Sequence, residues 1–292
     1  MRLAYVDGRI VLLAAAGIAV EDRGLQFADS LYEVCAVLNG RLLDWSLHLD
    51  RLTRNLAALE IAPPMTPAAL TLVARRLLAA NRATEALLYI QVTRGVAKRD
   101  HGFAAVMKPT LVMTVRPFDF AQRVAQQAAG VTAISVPDQR WGRCDLKTTG
   151  LLANVMAKQA ARKAGAFEAL LIGGDDGIAE GSSTNIWAVI DGMLVTPPLS
   201  HRILPGVMRA TVMRLATGAG LDPTERDFSL ADALVADELL LTSTTVPVLP
   251  VVRLDGQAIA DGKPGPVASR LAQSMWEEIA RQTGYRPAAS RA

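Results

Sequence analysis

The sequence predicts a two-domain α+β protein, with a small α/β domain over residues 1–118, a linker at 119–123 and a larger domain over 124–292. Three observations carry this. A chain of 292 residues is long enough for two domains and ample core. Helical stretches with apolar stripes are interleaved with apolar runs bounded by Asp-Gly and Asn-Gly turn signals, so both kinds of element are present. The run Pro117-Phe118-Asp119-Phe120-Ala121 then interrupts the pattern and marks the domain boundary.

Composition narrows the function. Hydrophobic residues make up 51% of the chain and charged residues 20%, with no run of like charge, which describes a globular protein. The net charge of +3 is dispersed, and even with a pI near 9.0 it leaves no nucleic-acid footprint. Arg75-Arg76 reads as the solvated face of a helix. The start of the chain reads as a hairpin and not as a charged, apolar leader, and no run approaches the ~18 apolar residues of a membrane span, so the expected compartment is the cytoplasm. Two cysteines, Cys35 and Cys144, fit a reducing environment, and three histidines without ligand spacing predict no metal site.

In chain order, Leu3–Val6 and Ile10–Val11 flank an Asp7-Gly8 turn as a first hairpin. The segment Glu21 to Ser30 reads as a loop entering a strand, and Tyr32 to Leu38 with Asn39-Gly40 forms a second hairpin. Tyr32 shares a face with Val34 and Ala36, opposite Glu33 and Cys35. Trp45 to Glu60 is helical, with Leu49, Leu52, Leu56 and Leu59 as its apolar stripe and Arg51 and Arg54 off it. Thr66 caps a helix that opens on Pro67 and runs to about Asn81. Ala86 to Gly95 is a strand that pairs with Pro109 to Val115, and the loop between them holds Arg99-Asp100-His101.

In the second domain, Val131 to Val136 is a strand. After it comes Arg140-Trp141-Gly142-Arg143-Cys144-Asp145-Leu146-Lys147-Thr148-Thr149-Gly150, which leads into a helix with Leu151, Leu152, Val155 and Met156 at apolar spacing until Gly165. Lys147 therefore occupies a strand-to-helix junction beside threonines able to cap the helix. Partial desolvation there would lower its pKa and make the amine nucleophilic, whereas a lone lysine would otherwise be a solvated surface group. Ile178 to Ile186 is a strand end carrying Glu180-Gly181-Ser182-Ser183, and Asp191-Gly192 closes a hairpin. Gly206 opens a helix to about Thr217, and its first amides form an anion site. Ser229 caps a short helix, Leu239 to Thr245 is a strand ending in hydroxyl residues, Asp255-Gly256 closes the last hairpin, and Val267 to Arg281 is an amphipathic helix.

The Lys147 stretch, the Glu180 stretch and the Leu239–Thr245 stretch, taken in this order, resemble the fold type IV pyridoxal-phosphate enzymes, and among them the D-amino acid transaminases. That resemblance spans about residues 3–270 and implies a small α/β domain and a larger β-rich domain with pyridoxal 5'-phosphate (PLP) between them. It implies that Lys147 holds the cofactor covalently and shuttles a proton, and that Glu180 faces the pyridine nitrogen. Arg51, Gly206, Val207, Met208 and Thr244 would hold the phosphate, with Leu204 packed on the ring. Tyr32, Arg99 and His101 would bind substrate, the Arg-x-His pair gripping its α-carboxylate. The reaction implied moves the amino group of a D-amino acid such as D-alanine to a 2-oxo acid such as 2-oxoglutarate by a ping-pong route. It also implies a homodimer, each site completed by the Arg99 loop of the other chain. Branched-chain L-amino acid aminotransferases and aminodeoxychorismate lyases share the fold and remain alternatives, as does a cofactor-free binding protein.

Overall fold

The computed structural model of the protein describes residues 2–287. The chain divides into two compact units, the first comprising residues 2–119 with Leu146–Gly150 and Gln282–Tyr285. Its strands are β1 (Leu3–Val6), β2 (Arg9–Leu12), β3 (Ser30–Leu38), β4 (Arg41–Leu42), β5 (Ala86–Thr93) and β6 (Thr110–Pro117), and its helices α1 (Arg23–Phe27), α2 (Trp45–Ala58) and α3 (Pro67–Ala80). The strands form one antiparallel sheet in the order β2-β1-β6-β5-β3-β4. Asp7-Gly8 and Asn39-Gly40 both have positive φ at each residue, the geometry that matches the twist of a two-residue hairpin. Leu52 and Leu56 of α2 and Leu70, Ala74 and Leu77 of α3 pack with Leu88, Ile90, Val92, Leu111 and Met113 of the sheet as one buried cluster.

Helix α1 departs from the sequence reading, which made all of Glu21 to Ser30 a loop. Its five residues are held by contacts a helical period does not reveal. The side chain of Asp22 caps the helix by accepting from Gly24 N, and it also accepts from Thr93 Oγ1 at 2.9 Å and Thr110 Oγ1 at 2.7 Å. A completely buried carboxylate thus ties α1 to β5 and β6.

The second unit comprises residues 120–145 and 151–281, together with Arg286 and Pro287. It contains α4 (Phe120–Ala129), β7 (Val131–Pro137), α5 (Leu152–Lys163), β8 (Glu168–Ile172), β9 (Ile178–Gly181), β10 (Asn185–Ile190) and β11 (Met193–Thr196). It continues with α6 (Val207–Gly218), β12 (Thr224–Glu225), α7 (Leu230–Leu234), β13 (Glu238–Ser243), β14 (Val246–Leu254), β15 (Gln257–Ala258) and α8 (Pro266–Thr283). A mixed nine-stranded sheet runs β12-β11-β10-β13-β14-β7-β8-β9, with β15 on β14. The parallel pairs are β11/β12, β14/β7 and β7/β8. Among the described residues no helix is long and apolar enough to cross a membrane.

Four local expectations are revised here. The linker expected at 119–123 runs into α4, whose first residue, Phe120, is 1% exposed and belongs to the core. Helix α5 packs by its small residues: Ala157 and Ala161 cluster with Ala169 and Leu171, while Leu152, Val155 and Met156 are 75%, 57% and 62% exposed. The threonines before α5 do not cap it, since its N-cap is Leu151, without a side-chain cap. Finally, Leu146–Gly150 groups with the first unit, although the sequence reading assigned all of 124–292 to the other domain.

Gly95, just after β5, shows how tightly the loop to β6 is closed. Its φ is +110°, and a Cβ there would overlap the carbonyl oxygen of Lys108 at the far end of the loop. Gly95→Ala is expected to destabilise the first unit by roughly 1–3 kcal/mol from backbone strain alone, with the overlap adding to it. Chemical denaturation of the variant against the wild type measures this, and unchanged stability would show the backbone free to relax.

Candidate active site

Lys147 is placed by backbone pairing. Tyr32 N donates to Lys147 O at 3.0 Å, Thr149 N donates to Ser30 O at 3.2 Å, and Leu31 and Thr148 form an antiparallel bridge. The stretch therefore lies against the start of β3 through a single antiparallel bridge. Lys147 is half-buried, with Nζ 4.2 Å from the centroid of the Tyr32 ring. Tyr32 stacks on Tyr89, ring centroids 5.6 Å apart. A polar chain runs behind them: Tyr89 donates to Gln91, Gln91 to Ser30 Oγ, and Ser30 Oγ meets Thr149 Oγ1. Of the sequence-predicted residues, Lys147 and Tyr32 are thus brought together.

Arg51 lies in the same unit, buried and not solvated. Its Nε and Nη2 donate to the two carboxylate oxygens of Glu33, each at 2.7 Å, and His48 Nδ1 is 2.7 Å from Glu33 Oε2. Glu33 and His48 are each 1% exposed and Arg51 5%. Burial pushes the Glu33 carboxyl up, but Arg51 and His48 outweigh it and hold the pKa at about 2, below its ordinary 4.5. His48 Nε2 is buried without a protein partner. A buried imidazole nitrogen left open beside an arginine suits a site that takes an anion such as a phosphate.

The Arg99 loop is solvent-exposed. The Arg99 guanidinium lies 4.7 Å from the Phe27 ring and the His101 ring meets the same ring edge-on at 5.5 Å, so both flank one aromatic side chain of α1.

The second unit holds a distinct polar cluster around Glu180, which is 6% exposed. Arg140 Nη1 forms a close ion pair with Glu180 Oε1, while Asn185 Nδ2 and Leu204 N donate to Oε2 at 3.0 and 3.1 Å. Arg140 is itself clamped by Asp138, its Nη2 donating to Asp138 Oδ2 at 2.8 Å. Burial lowers the Arg140 pKa, but Asp138 and Glu180 more than reverse this, so Arg140 stays a cation and Glu180 keeps a positive partner. Such a braced carboxylate can hold a proton on a heterocyclic nitrogen facing it.

Asn185 joins this cluster to the start of α6 by donating also to Leu204 O at 2.9 Å. A Cβ on Gly206 would overlap Asn185 Oδ1, so glycine is needed for the close approach. Gly206 is the N-cap of α6 and supplies no side-chain cap, which leaves the amides of Val207 and Met208 at a helix start suited to an anion. Thr244 stands in the β13–β14 turn, two residues beyond Thr242, which pairs with Asn185.

Glu168 anchors the turn between Glu180 and Asn185. This fully buried carboxylate accepts from Ser182 Oγ, from Ser183 Oγ at 2.8 Å and from Thr184 Oγ1 at 3.4 Å, and Lys158 Nζ lies 3.2 Å away. Sequence reasoning missed Glu33, His48, Arg140, Glu168 and Asn185. A carboxylate on the core face of a strand was the signal for Glu33, and His48 and Arg51 at i, i+3 share a helix face that could answer it.

The first unit thus carries an amine-bearing lysine and a buried arginine with an open imidazole, and the second a braced carboxylate and a glycine-led helix start; each is a kind of group that PLP chemistry draws on. The comparisons agree. The model of the class IV aminotransferase family matches residues 30–254, and the chain belongs to that family, whose members use PLP. The D-alanine aminotransferase of Bacillus licheniformis is 37% identical over 277 residues, covering 95% of this chain and 97% of that one. The D-alanine aminotransferase of Staphylococcus aureus strain MSSA476 is 34% identical over 284 residues, covering 96% and 98%. Among solved structures, the branched-chain amino acid aminotransferase of Escherichia coli superposes with a TM-score of 0.86 at 22% identity, covering 97% and 95%. A hypothetical aminotransferase of Mycobacterium tuberculosis in its PLP-bound form gives 0.82 at 24%, covering 97% and 100%. At those identities the structures speak for the fold, which is that of fold type IV.

The Glu33 cluster carries a pH dependence of known sign. A carboxyl with a depressed folded pKa adds stability that is fully present above its unfolded value of 4.5 and is lost as pH falls towards 2. Glu33→Gln, which breaks a buried pair, is expected to cost roughly 3–5 kcal/mol at neutral pH. Denaturant melts of both proteins across falling pH should show this gap closing below pH 4.5, and a gap independent of pH would assign the loss to packing.

Proposed function

We propose that this aminotransferase takes D-amino acids such as D-alanine and passes their amino group to a 2-oxo acid such as 2-oxoglutarate in two half-reactions, by a ping-pong route. The observation that carries the substrate class is the exposed pair Arg99 and His101, side by side against Phe27, where a planar guanidinium and an imidazole can meet one α-carboxylate. Relatives named D-alanine aminotransferases, similar over nearly the whole chain, support the same reading.

Each residue then has a role. Lys147 holds the cofactor through Nζ and takes the proton from the substrate Cα. PLP, when bound, supplies the electron sink that lets the Cα–H bond break. Glu180, braced by Arg140 and Asn185, keeps the ring nitrogen protonated, and Leu204 packs on the ring. Arg51, Gly206, Val207, Met208 and Thr244 hold the phosphate. Tyr32 offers its hydroxyl to the substrate carboxylate along with Arg99 and His101.

A homodimer with shared sites belongs to this reading. Val96, Phe103 and Val106, on the loop that carries Arg99 and His101, are 50%, 48% and 91% exposed, an apolar surface suited to a second copy. The reading also assigns the protein to the cytoplasm, supported by Cys35 and Cys144, both buried free thiols.

Lys147→Ala is expected to abolish turnover, and Glu180→Gln to slow Cα proton removal by at least ~10²-fold while keeping cofactor affinity. Stopped-flow single turnovers with D-alanine and cofactor titration separate the two effects. Unchanged rates in Glu180→Gln would assign the nitrogen partner elsewhere.

Shared sites are tested by mixing Lys147→Ala with Arg99→Ala subunits at D-alanine concentrations well below the KM of Arg99→Ala, where Lys147→Ala is inactive and Arg99→Ala nearly so. A mixed dimer has one site with its own Lys147 and the partner's wild-type Arg99, so activity should return. Its absence despite verified mixed dimers would assign Arg99 to the site of its own chain.

A further inference from the structure

Arg23 is a buried cation whose hydrogen bonds go mostly to a loop lying in solvent. It is 4% exposed, and its Nε donates to Asp29 Oδ2 at 2.8 Å. Its other side-chain hydrogen bonds are to three successive carbonyls: Nη1 donates to Asp100 O at 2.6 Å and Gly102 O at 3.1 Å, and Nη2 to His101 O at 3.2 Å. Residues 98–102 are themselves exposed. A desolvated guanidinium is costly unless its donors are met, so a shape of the loop that turns these three carbonyls towards Arg23 is favoured over the alternatives.

The attachment is reinforced on both sides. Arg23 N donates to Gly95 O at 2.9 Å, and Asp22 pairs with Val96, so the near limb of the loop runs along the start of α1. Arg94, which shares Asp29 with Arg23, lies 3.7 Å under the Phe103 ring on the far limb. Burial raises the Asp29 carboxyl, but Arg94 and Arg23 together bring it below its usual value, so the anion between them persists.

We propose that Arg23 is a positioning and specificity-determining residue, holding the Asp100–Gly102 backbone so that Arg99 and His101 are fixed as a carboxylate-binding pair. This rests on the substrate reading of Arg99 and His101 given above. Only a planar fork spans three carbonyls at these distances; a lysine ammonium at the same place keeps the charge but is a single point with rotatable donors. Loosening the loop weakens carboxylate binding and leaves the chemistry at Lys147 alone, so the loss falls on KM and not on kcat.

The holoenzyme variants Arg23→Lys and Arg99→Ala are compared with wild type by D-alanine kinetics, and Arg23→Lys also by the rate of trypsin cleavage after Lys98 and Arg99, mapped by mass. For Arg23→Lys the expected result is cleavage faster by about tenfold, a KM for D-alanine raised by about tenfold and a kcat within about twofold, from loss of loop order and uniform binding. Unchanged cleavage would overturn the proposal, as would faster cleavage with unchanged KM while Arg99→Ala raises KM. Faster cleavage with KM unmoved in both variants would leave Arg23 as the anchor of the loop and overturn the carboxylate role of Arg99 instead. If Arg23→Lys does not fold, Arg23→Gln, which removes charge and fork together, is measured the same way and carries the same expectations.

Discussion

Two backbone hydrogen bonds between residues 30–32 and 147–149 fix Lys147. They dock a segment with no regular structure of its own on the start of β3, and they set Lys147 over the Tyr32 ring. The register also puts Thr149 opposite Ser30, where the hydroxyls meet, so the residues after the lysine are tied to β3 and are not available to cap α5. A one-residue slip would turn Lys147 to the opposite face of the strand and remove it from Tyr32.

A second constraint recurs in both units: buried carboxylates are each surrounded by designated donors. Asp22 has two threonines and an amide, Glu33 has Arg51 and His48, Glu168 has three hydroxyls and Lys158, and Glu180 has Arg140, Asn185 and an amide. Removing any one partner strands a charge away from water, so each cluster fixes its surroundings more sharply than apolar packing of similar size. The geometry follows from this. Asp22 fixes α1 against the sheet, α1 supplies Arg23 and Phe27, and these hold the loop of Arg99 and His101. Glu168 holds the turn 182–184, and that turn sets Asn185 against Glu180 and Leu204.

Each unit also leaves a group of apolar residues in solvent. Helix α5 buries alanines and exposes Leu152, Val155 and Met156, and the Arg99 loop exposes Val96, Phe103 and Val106. Lone exposed apolar side chains are ordinary, but groups of them on two elements are not.

The sequence by itself determined what is local. The X-Gly pairs at Asp7, Asn39, Asp191 and Asp255 all adopt the double positive φ that their side chains tolerate, and Ser229 and Thr66 cap their helices through their own hydroxyls. The strands β3, β5 and β7 and the helices α2, α3, α6 and α8 were legible within a few residues, because period and turn chemistry act over neighbouring positions. The order of the Lys147, Glu180 and Thr244 stretches was enough to identify the family. Only the tertiary structure decided which groups meet across the chain. Arg51 read as an off-stripe helix residue and is buried because Glu33, on a distant strand, needs its charge. The large apolar residues of α5 face outwards because the helix turns its small residues, Ala157 and Ala161, towards Ala169 and Leu171 of β8. Helix α1 exists because Asp22 finds Thr93 and Thr110, and Lys147 joins the first unit because its backbone pairs with β3. Each is a pairing of charge, shape or backbone donors between residues far apart in the chain, and no local period records where such partners lie.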